Sequence, residues 1–273
     1  MDRKSAAAGA ENRETADLAT RLELLSVDRN QSPVVDEARL VERVADFLVS
    51  RILDGTYPQG ELLPSEQRLA LAAGVSRLTV REAVRILRVK NVLRVCRGRG
   101  TMVEHVALWS PLDEHLLIAQ CHDPVRARDL AKQLMQMRQM VEVELAGLAA
   151  ERAHQLDLAP IEDALQRMRS ASSEDVAAFS AADMAFHDAI MEAAGNPLVM
   201  NILQPLRALL REVRQQTSTH QELRQRTVAD HARILSAVAA GDAIRARRAM
   251  RKHLAFTSAV LADEHSFSDT SSS

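Results

Sequence analysis

PSEQRLALAAGVSRLTVREAVRILRVKNVLRVCRGRGTM, running from Pro64 to Met102, decides how the first half of this chain is read. Its spacing predicts a short helix capped by Ser65, a turn at Gly74-Val75, a second helix capped by Ser76, and a two-stranded hairpin turning at Arg97-Gly98-Arg99-Gly100. In the second helix Val80, Ala83, Val84 and Leu87 recur at i, i+3, i+4 and i+7, the stripe of a helix that faces a core. Arg77, Arg81, Arg85 and Arg88 fall on another face, within an arc of about 80° at about 100° per residue. A row of guanidiniums beside a helix-turn-helix pattern suits a helix that enters a major groove, where Arg reaches phosphates and guanine edges. An isolated stripe of this kind would more simply be a solvated basic face. Turn, stripe and hairpin agree here, and together they favour the groove.

Before this stretch, residues 37–54 place Val41, Val44, Ala45, Leu48 and Ile52 at helical spacing, with Asp54-Gly55 as a stop signal. Residues 37–104 therefore read as a winged helix-turn-helix, whose wing residues Arg97 and Gly98 would probe the minor groove or its phosphates. From Gly60 to Glu104 nine Arg or Lys face four Asp or Glu, although the whole chain carries a formal charge of only −2. That local excess gives salt-sensitive attraction to phosphates.

With 273 residues the chain can hold two domains of ordinary size. Its residues are 47% hydrophobic but only 3% aromatic, so the interior is built from Ala, Leu, Val, Ile and Met and favours helices. Cys96 and Cys121 make no disulfide framework, which suits a reducing compartment. Neither a signal peptide nor a membrane span is visible, and the expectation is a cytoplasmic protein. Residues 1–36, rich in Ala, Glu, Arg and Ser, read as a disordered tail with one amphipathic hint at Leu18, Leu22 and Leu25. Residues 105–124 read as a linker in which Trp109 is expected to seal the joint between domains.

From residue 125 to 265 the periodicity is helical throughout, with a second disordered tail expected over 266–273. Leu130, Leu134, Met137, Val141, Leu145 and Leu148 mark one helix, and Asp157 to Arg169 a shorter one. A third runs from about Asp175 to Ala194. The next is read as one helix through Val199, Ile202, Leu203, Leu206, Leu210 and Val213. Gln221 to Ala240 and a last helix capped by Asp242 complete the pattern. The fold class expected is mainly α: an N-terminal winged helix-turn-helix with a small β-hairpin wing, then an antiparallel six- or seven-helix bundle.

Four polar residues interrupt the apolar stripes of that bundle. Asp183 and His187 are i and i+4 on one helix face. His231 shares a stripe with Thr227, Ile234, Leu235 and Val238, and His253 with Ala249, Met250, Thr257 and Val260. Unpaired buried polar groups are costly, and a divalent metal would satisfy all four at once. Hydrogen bonding of each His to a neighbouring helix would also satisfy them. Spacing alone leaves both readings open.

The segments LPSEQRLA, GVSRLTVREAVRIL and RGRGTMV resemble the N-terminal domain of the GntR family of bacterial transcription regulators. By position, the resemblance places DNA contacts on Arg77, Arg81, Arg97 and Gly98, with Ser65, Gln67, Arg68, Ser76 and Thr79 beside them. One position departs from the pattern: Gln67 stands where an Arg often follows the Ser-Glu pair, and Arg68 comes next. The strings MRQMVEVELAGLAA, DMAFHDAIMEAAGNP, ADHARILSAVAAGD and MRKHL resemble the helical, FCD-type effector domain of the FadR-like subgroup. That resemblance implies a divalent ion (Zn, Ni, Mn or Fe) on Asp183, His187, His231 and His253. It also implies an effector carboxylate on Arg138, whose alternative is an ion pair with Glu142 or Glu144. Asn196 is a further effector candidate, or simply a helix-end residue. The arginines and lysine from Arg245 to Lys252 read as a solvated face.

The function implied is a homodimeric regulator, more often a repressor, on a pseudo-palindromic operator of a catabolic operon. The connector ALWSPLDEHLL resembles that of members responding to sugar acids and related hydroxy acids, so such an acid would release the operator. The alternative is an effector-independent DNA-binding protein with a structural metal. A metal hydrolase would need a general base beside the ion, and no extra carboxylate shares those helix faces, so no enzyme is expected.

Overall fold

The computed structural model describes residues 33–155, 157–171, 175–217 and 221–270, and the amphipathic hint at Leu18–Leu25 lies outside them. These residues form two compact units, one ending at Ala119 and the other starting at Gln120.

The first unit opens with α1 (Pro33–Leu53), so residues 33–36, read above as tail, are helical. Val44, Ala45, Leu48, Val49 and Ile52 of α1 are buried. Ser65 caps α2 (Glu66–Ala73) by accepting the Arg68 N–H at 3.3 Å. Gly74 ends it in the left-handed region at φ 63°, which favours a residue without Cβ. Ser76 caps α3 (Arg77–Val89), accepting the Thr79 N–H at 3.0 Å. The stripe Val80, Ala83, Val84 and Leu87 is at most 5% exposed, and each such Val or Leu contributes about 1.5–3 kcal/mol by leaving water.

Strands β1 (Leu93–Cys96) and β2 (Gly100–Val103) pair antiparallel, Leu93 opposite Val103 and Cys96 opposite Gly100. Residues 97–99 make the turn, with Gly98 at φ 72°. The segment before α2, read from sequence only as turn-forming, also joins the wing. Gly60 N–H donates to the Val103 carbonyl at 2.9 Å, and Leu63 N–H to Thr101 at 2.8 Å.

The linker is more ordered than its prolines suggested. It holds a 3₁₀ turn (Val106–Leu108) and a helix, α4 (Glu114–Gln120). Trp109 is buried with Leu116 in the first unit's own core. Its indole N–H donates to the Glu104 carbonyl at 3.2 Å. A large apolar ring with a nearby backbone acceptor completes the core from which the chain has just emerged.

The second unit contains α5 (Pro124–Arg152), α6 (Ala159–Ser170), α7 (Val176–Ala193), α8 (Pro197–Leu203), α9 (Arg207–Thr217), α10 (Gln221–Ala239) and α11 (Ala243–Thr270). The single helix expected through Val199 and Val213 is broken. A 3₁₀ turn over Gln204–Leu206 separates α8 from α9, because Pro205 has no N–H to continue the ladder and its ring crowds the preceding turn. Helix α11 runs past the expected stop to Thr270, with no Gly or Pro after Gly241 to end it. It lies along α5, where Ala146, Ala149, Ala150 and Ala246 are fully buried. The Arg245–Lys252 face is not wholly solvated either. Arg247 reaches over Gly147 to Glu144 at 2.8 Å and Glu151 at 3.1 Å, and a Cβ at position 147 would stand 2.3 Å from its guanidinium carbon.

Candidate functional site

In the first unit the polar candidates divide by exposure. Arg77, Arg81, Arg85 and Arg88 project from the exposed face of α3, with Arg85 held to Glu82 at 2.7 Å. Arg97 and Gly98 are exposed at the wing tip, and Ser65, Gln67, Arg68 and Ser76 are exposed around the starts of α2 and α3. Thr79 is the exception. It is 3% exposed and its hydroxyl lies 2.8 Å from Ser76 Oγ, so it braces the start of α3 from inside and has no surface to offer a base. The helix and wing thus present a basic surface on a rigid scaffold, the geometry that reads a groove through α3 and tracks phosphates through the wing.

In the second unit α7, α10 and α11 bring Asp183, His187, His231 and His253 together, all four buried. One ligand atom from each lies within 4.8 Å of the others. Asp183 Oδ1 is 3.1 Å from His231 Nε2 and 3.9 Å from His187 Nε2. The two Nε2 atoms are 3.2 Å apart.

The outer nitrogens fix what the inner ones can be. His231 Nδ1 lies 2.7 Å from the Thr227 carbonyl, which only accepts, so Nδ1 carries the proton. His187 Nδ1 donates to Glu142 Oε2 at 2.6 Å. Burial alone would raise the Glu142 carboxyl, but the Arg138 guanidinium and the His187 ring hold it well below the usual carboxylate range. In the neutral form of each ring Nε2 carries the lone pair, so the deprotonated cluster sets two Nε2 lone pairs against each other and against a carboxylate oxygen. His253 adds a buried Nδ1 with no hydrogen-bond partner, and burial beside the other two rings pushes its ring well below the ordinary histidine range. Three rings and a carboxylate aimed at one point repel unless a cation lies between them. A single proton would relieve one pair; a divalent ion relieves all four. The donor set fits a metal.

Arg138 makes the ion pair that the sequence left as its alternative. It is 2% exposed and its Nε donates to Glu142 Oε1 at 2.7 Å. Its Nη2 stands 3.5 and 3.4 Å from the two ring nitrogens of His187, against the ring and on the lone pair of neither. Arg138 thus also borders the cluster. Asn196 does not join it: exposed at the start of α8, it accepts the Val199 N–H at 3.4 Å as a cap. The sequence reading did not place three neighbours at the cluster. Phe186, fully buried, sets its ring edge-on 4.3 Å from His231. Ser180, on the Asp183–His187 face one turn earlier, has a buried Oγ with no partner. Glu142, offered by the sequence only as a partner for Arg138, reaches the cluster from another helix, α5. Both its oxygens are engaged, so it is no free general base.

Comparison with known proteins gives this geometry its family. Residues 40–103 match the model of the bacterial regulatory proteins of the gntR family, and residues 133–256 match the FCD domain. The HTH-type transcriptional regulator LutR of Bacillus subtilis is 33% identical over 218 residues, covering 77% of this chain and 95% of LutR. The chain belongs to the GntR family. A second relative, the galactonate operon transcriptional repressor of Escherichia coli, is 31% identical over 201 residues, 72% of this chain and 86% of that one. The solved structure of Lar, which controls expression of the Listeria monocytogenes agr system, superposes with a TM-score of 0.50 at 20% identity, covering 82% of this chain and 96% of Lar. That likeness bears on fold alone. As a GntR regulator with an FCD domain, the chain is a DNA-binding transcription regulator and not an enzyme. Among the described residues no helix is long and apolar enough to cross a membrane.

Proposed function

We propose that the protein is a cytoplasmic, homodimeric repressor of a catabolic operon, released from a pseudo-palindromic operator by a small carboxylate such as a sugar acid or hydroxy acid. On this reading, residues 37–104 bind DNA, 105–124 connect and 125–265 sense the acid and pair the protomers. Arg77 and Arg81 read base edges, while Arg97, Gly98 and the residues around the α2 and α3 caps position the backbone. Asp183, His187, His231 and His253 hold a divalent ion, which supplies a Lewis-acid seat for the acid's oxygens. Arg138, at the rim of the cluster, offers guanidinium hydrogens to the same anion. Acid binding then favours one arrangement of the two DNA-binding units over another, which is how a buried site reaches a distant groove.

The observation that carries this reading is the convergence of two Nε2 lone pairs on a carboxylate inside an apolar bundle. The names of the galactonate repressor and of a lactate dehydrogenase operon regulatory protein 31% identical over 230 residues support the class of acid. The test is thermal unfolding of the metal-loaded protein against sugar acids, hydroxy acids and dicarboxylates, repeated with His231→Ala and paired with operator binding. One acid should raise the midpoint of the wild type, leave the variant unmoved, and weaken operator binding. A midpoint lowered by EDTA yet insensitive to every acid makes the metal structural and overturns the switch.

A further inference from the structure

We infer that Glu142 is a positioning residue of the metal centre: held by Arg138, it fixes His187 in the tautomer and orientation that present Nε2 to the ion. The inference rests on the metal reading above. The three imidazoles are held in three different ways. His231 is fixed by a backbone carbonyl of its own helix, Thr227 at 2.7 Å, which no substitution removes. His253 has no partner at Nδ1. Of the three Nδ1 atoms, that of His187 is held by a side chain from another helix, Glu142 of α5, at 2.6 Å.

That side chain is itself fixed. Its Oε1 takes the Arg138 Nε–H at 2.7 Å, and Oε2 lies 3.4 Å from Nη2. A carboxylate so held can only accept, so it keeps a proton on His187 Nδ1, and the neutral ring then has its lone pair on Nε2, the atom that faces Asp183 and His231. An anionic partner also makes the ring a stronger donor to a cation than a carbonyl does. Arg138 cancels the Glu142 charge within the same buried space, so this gain adds no net charge. Glu142 therefore serves the affinity for the ion.

The full-length protein with Co²⁺ and Zn²⁺ tests this, by competition against a chromophoric chelator and by the Co²⁺ absorption band. Glu142→Gln keeps the size and one acceptor but loses the charge, and should weaken metal binding about 10- to 100-fold. Thr227→Ala leaves the carbonyl that holds His231 and should stay within twofold of wild type. In metal-free protein, ¹⁵N NMR should show His187 protonated on Nδ1 in the wild type and as a mixture of tautomers in Glu142→Gln. That readout survives even where the variant takes no metal. Equal metal affinity and equal tautomer in wild type and Glu142→Gln overturn the positioning role while leaving the metal reading intact. A loss in Thr227→Ala as large as in Glu142→Gln also overturns it, because any disturbance of the bundle would then do the same. A wild type that binds neither ion overturns the metal reading itself.

Discussion

Replacing Arg138 by Met should be among the most damaging single changes in the bundle, and replacing Glu142 by Gln at the same time should undo much of the damage. The two side chains are 2% and 4% exposed and meet at 2.7 Å, so neither charge has water to fall back on. Removing one partner of a buried pair costs about 3–5 kcal/mol, because the other charge is left uncompensated. Removing both charges while keeping similar volumes costs about 1 kcal/mol or less. Either single change leaves one buried charge alone, so the double-mutant cycle should give a coupling of at least about 5 kcal/mol. At a urea m-value of about 2 kcal/mol/M, the single variant shifts the midpoint down by about 2 M. The measurement is urea unfolding in EDTA, which separates folding from metal binding, followed by circular dichroism of the helices. Fluorescence of Trp109, the chain's one tryptophan, reports the winged unit in the same sample and should stay in place. A coupling below about 1 kcal/mol would mean that solvent reaches the pair, and the reasoning from burial would be wrong.

Three other outcomes are expected. His253 is held neutral in the folded, metal-free bundle well below its ordinary value of 6.5, so only the unfolded chain takes its proton as the pH falls. Stability is then full above about pH 6.5 and declines below it by up to about 1.4 kcal/mol per pH unit per proton; a slope unchanged in His253→Gln, measured in EDTA, would refute the assignment. Ser76→Ala removes the acceptor that caps α3 at 3.0 Å and should lower the stability of the winged unit by about 1 kcal/mol, read from Trp109 fluorescence in urea. On operator DNA, Arg81→Ala should cost about 1–3 kcal/mol and relax specificity at one position, whereas Arg97→Ala should weaken all sequences alike and reduce the salt slope by about one; equal losses on cognate and random DNA for Arg81→Ala would place it on the phosphates.

The winged unit was legible in sequence because its determinants are local. Ser65 and Ser76 cap the helices that follow them, Gly74 takes the left-handed turn, and the stripe from Val80 to Leu87 repeats within two turns of helix. The four residues of the cluster were legible as polar side chains on apolar stripes. Glu142 was legible only as a partner for Arg138: an Arg and a Glu at i and i+4 stand on a face that also buries Leu134, Leu145 and Ala149. Spacing cannot tell an exposed pair from a buried one when the deciding neighbour, His187, is 45 positions away. Thr79 escaped for the opposite reason: a family pattern marks the position, and only packing shows the hydroxyl turned inward. Pro205 was a local signal outweighed by the apolar repeat on either side of it.

The cluster ties together distant parts of a bundle whose helices each form from contacts four residues apart. His187 and His231 are 44 positions apart in the chain, and closing a loop of that length costs about 3 kcal/mol of chain entropy beyond a constant. The polar centre therefore assembles late, after the helices have condensed, and it can be reached again only by parting them. With all four ligand side chains buried, an ion would enter and leave at the pace of local opening of the bundle, slower than any encounter in solution.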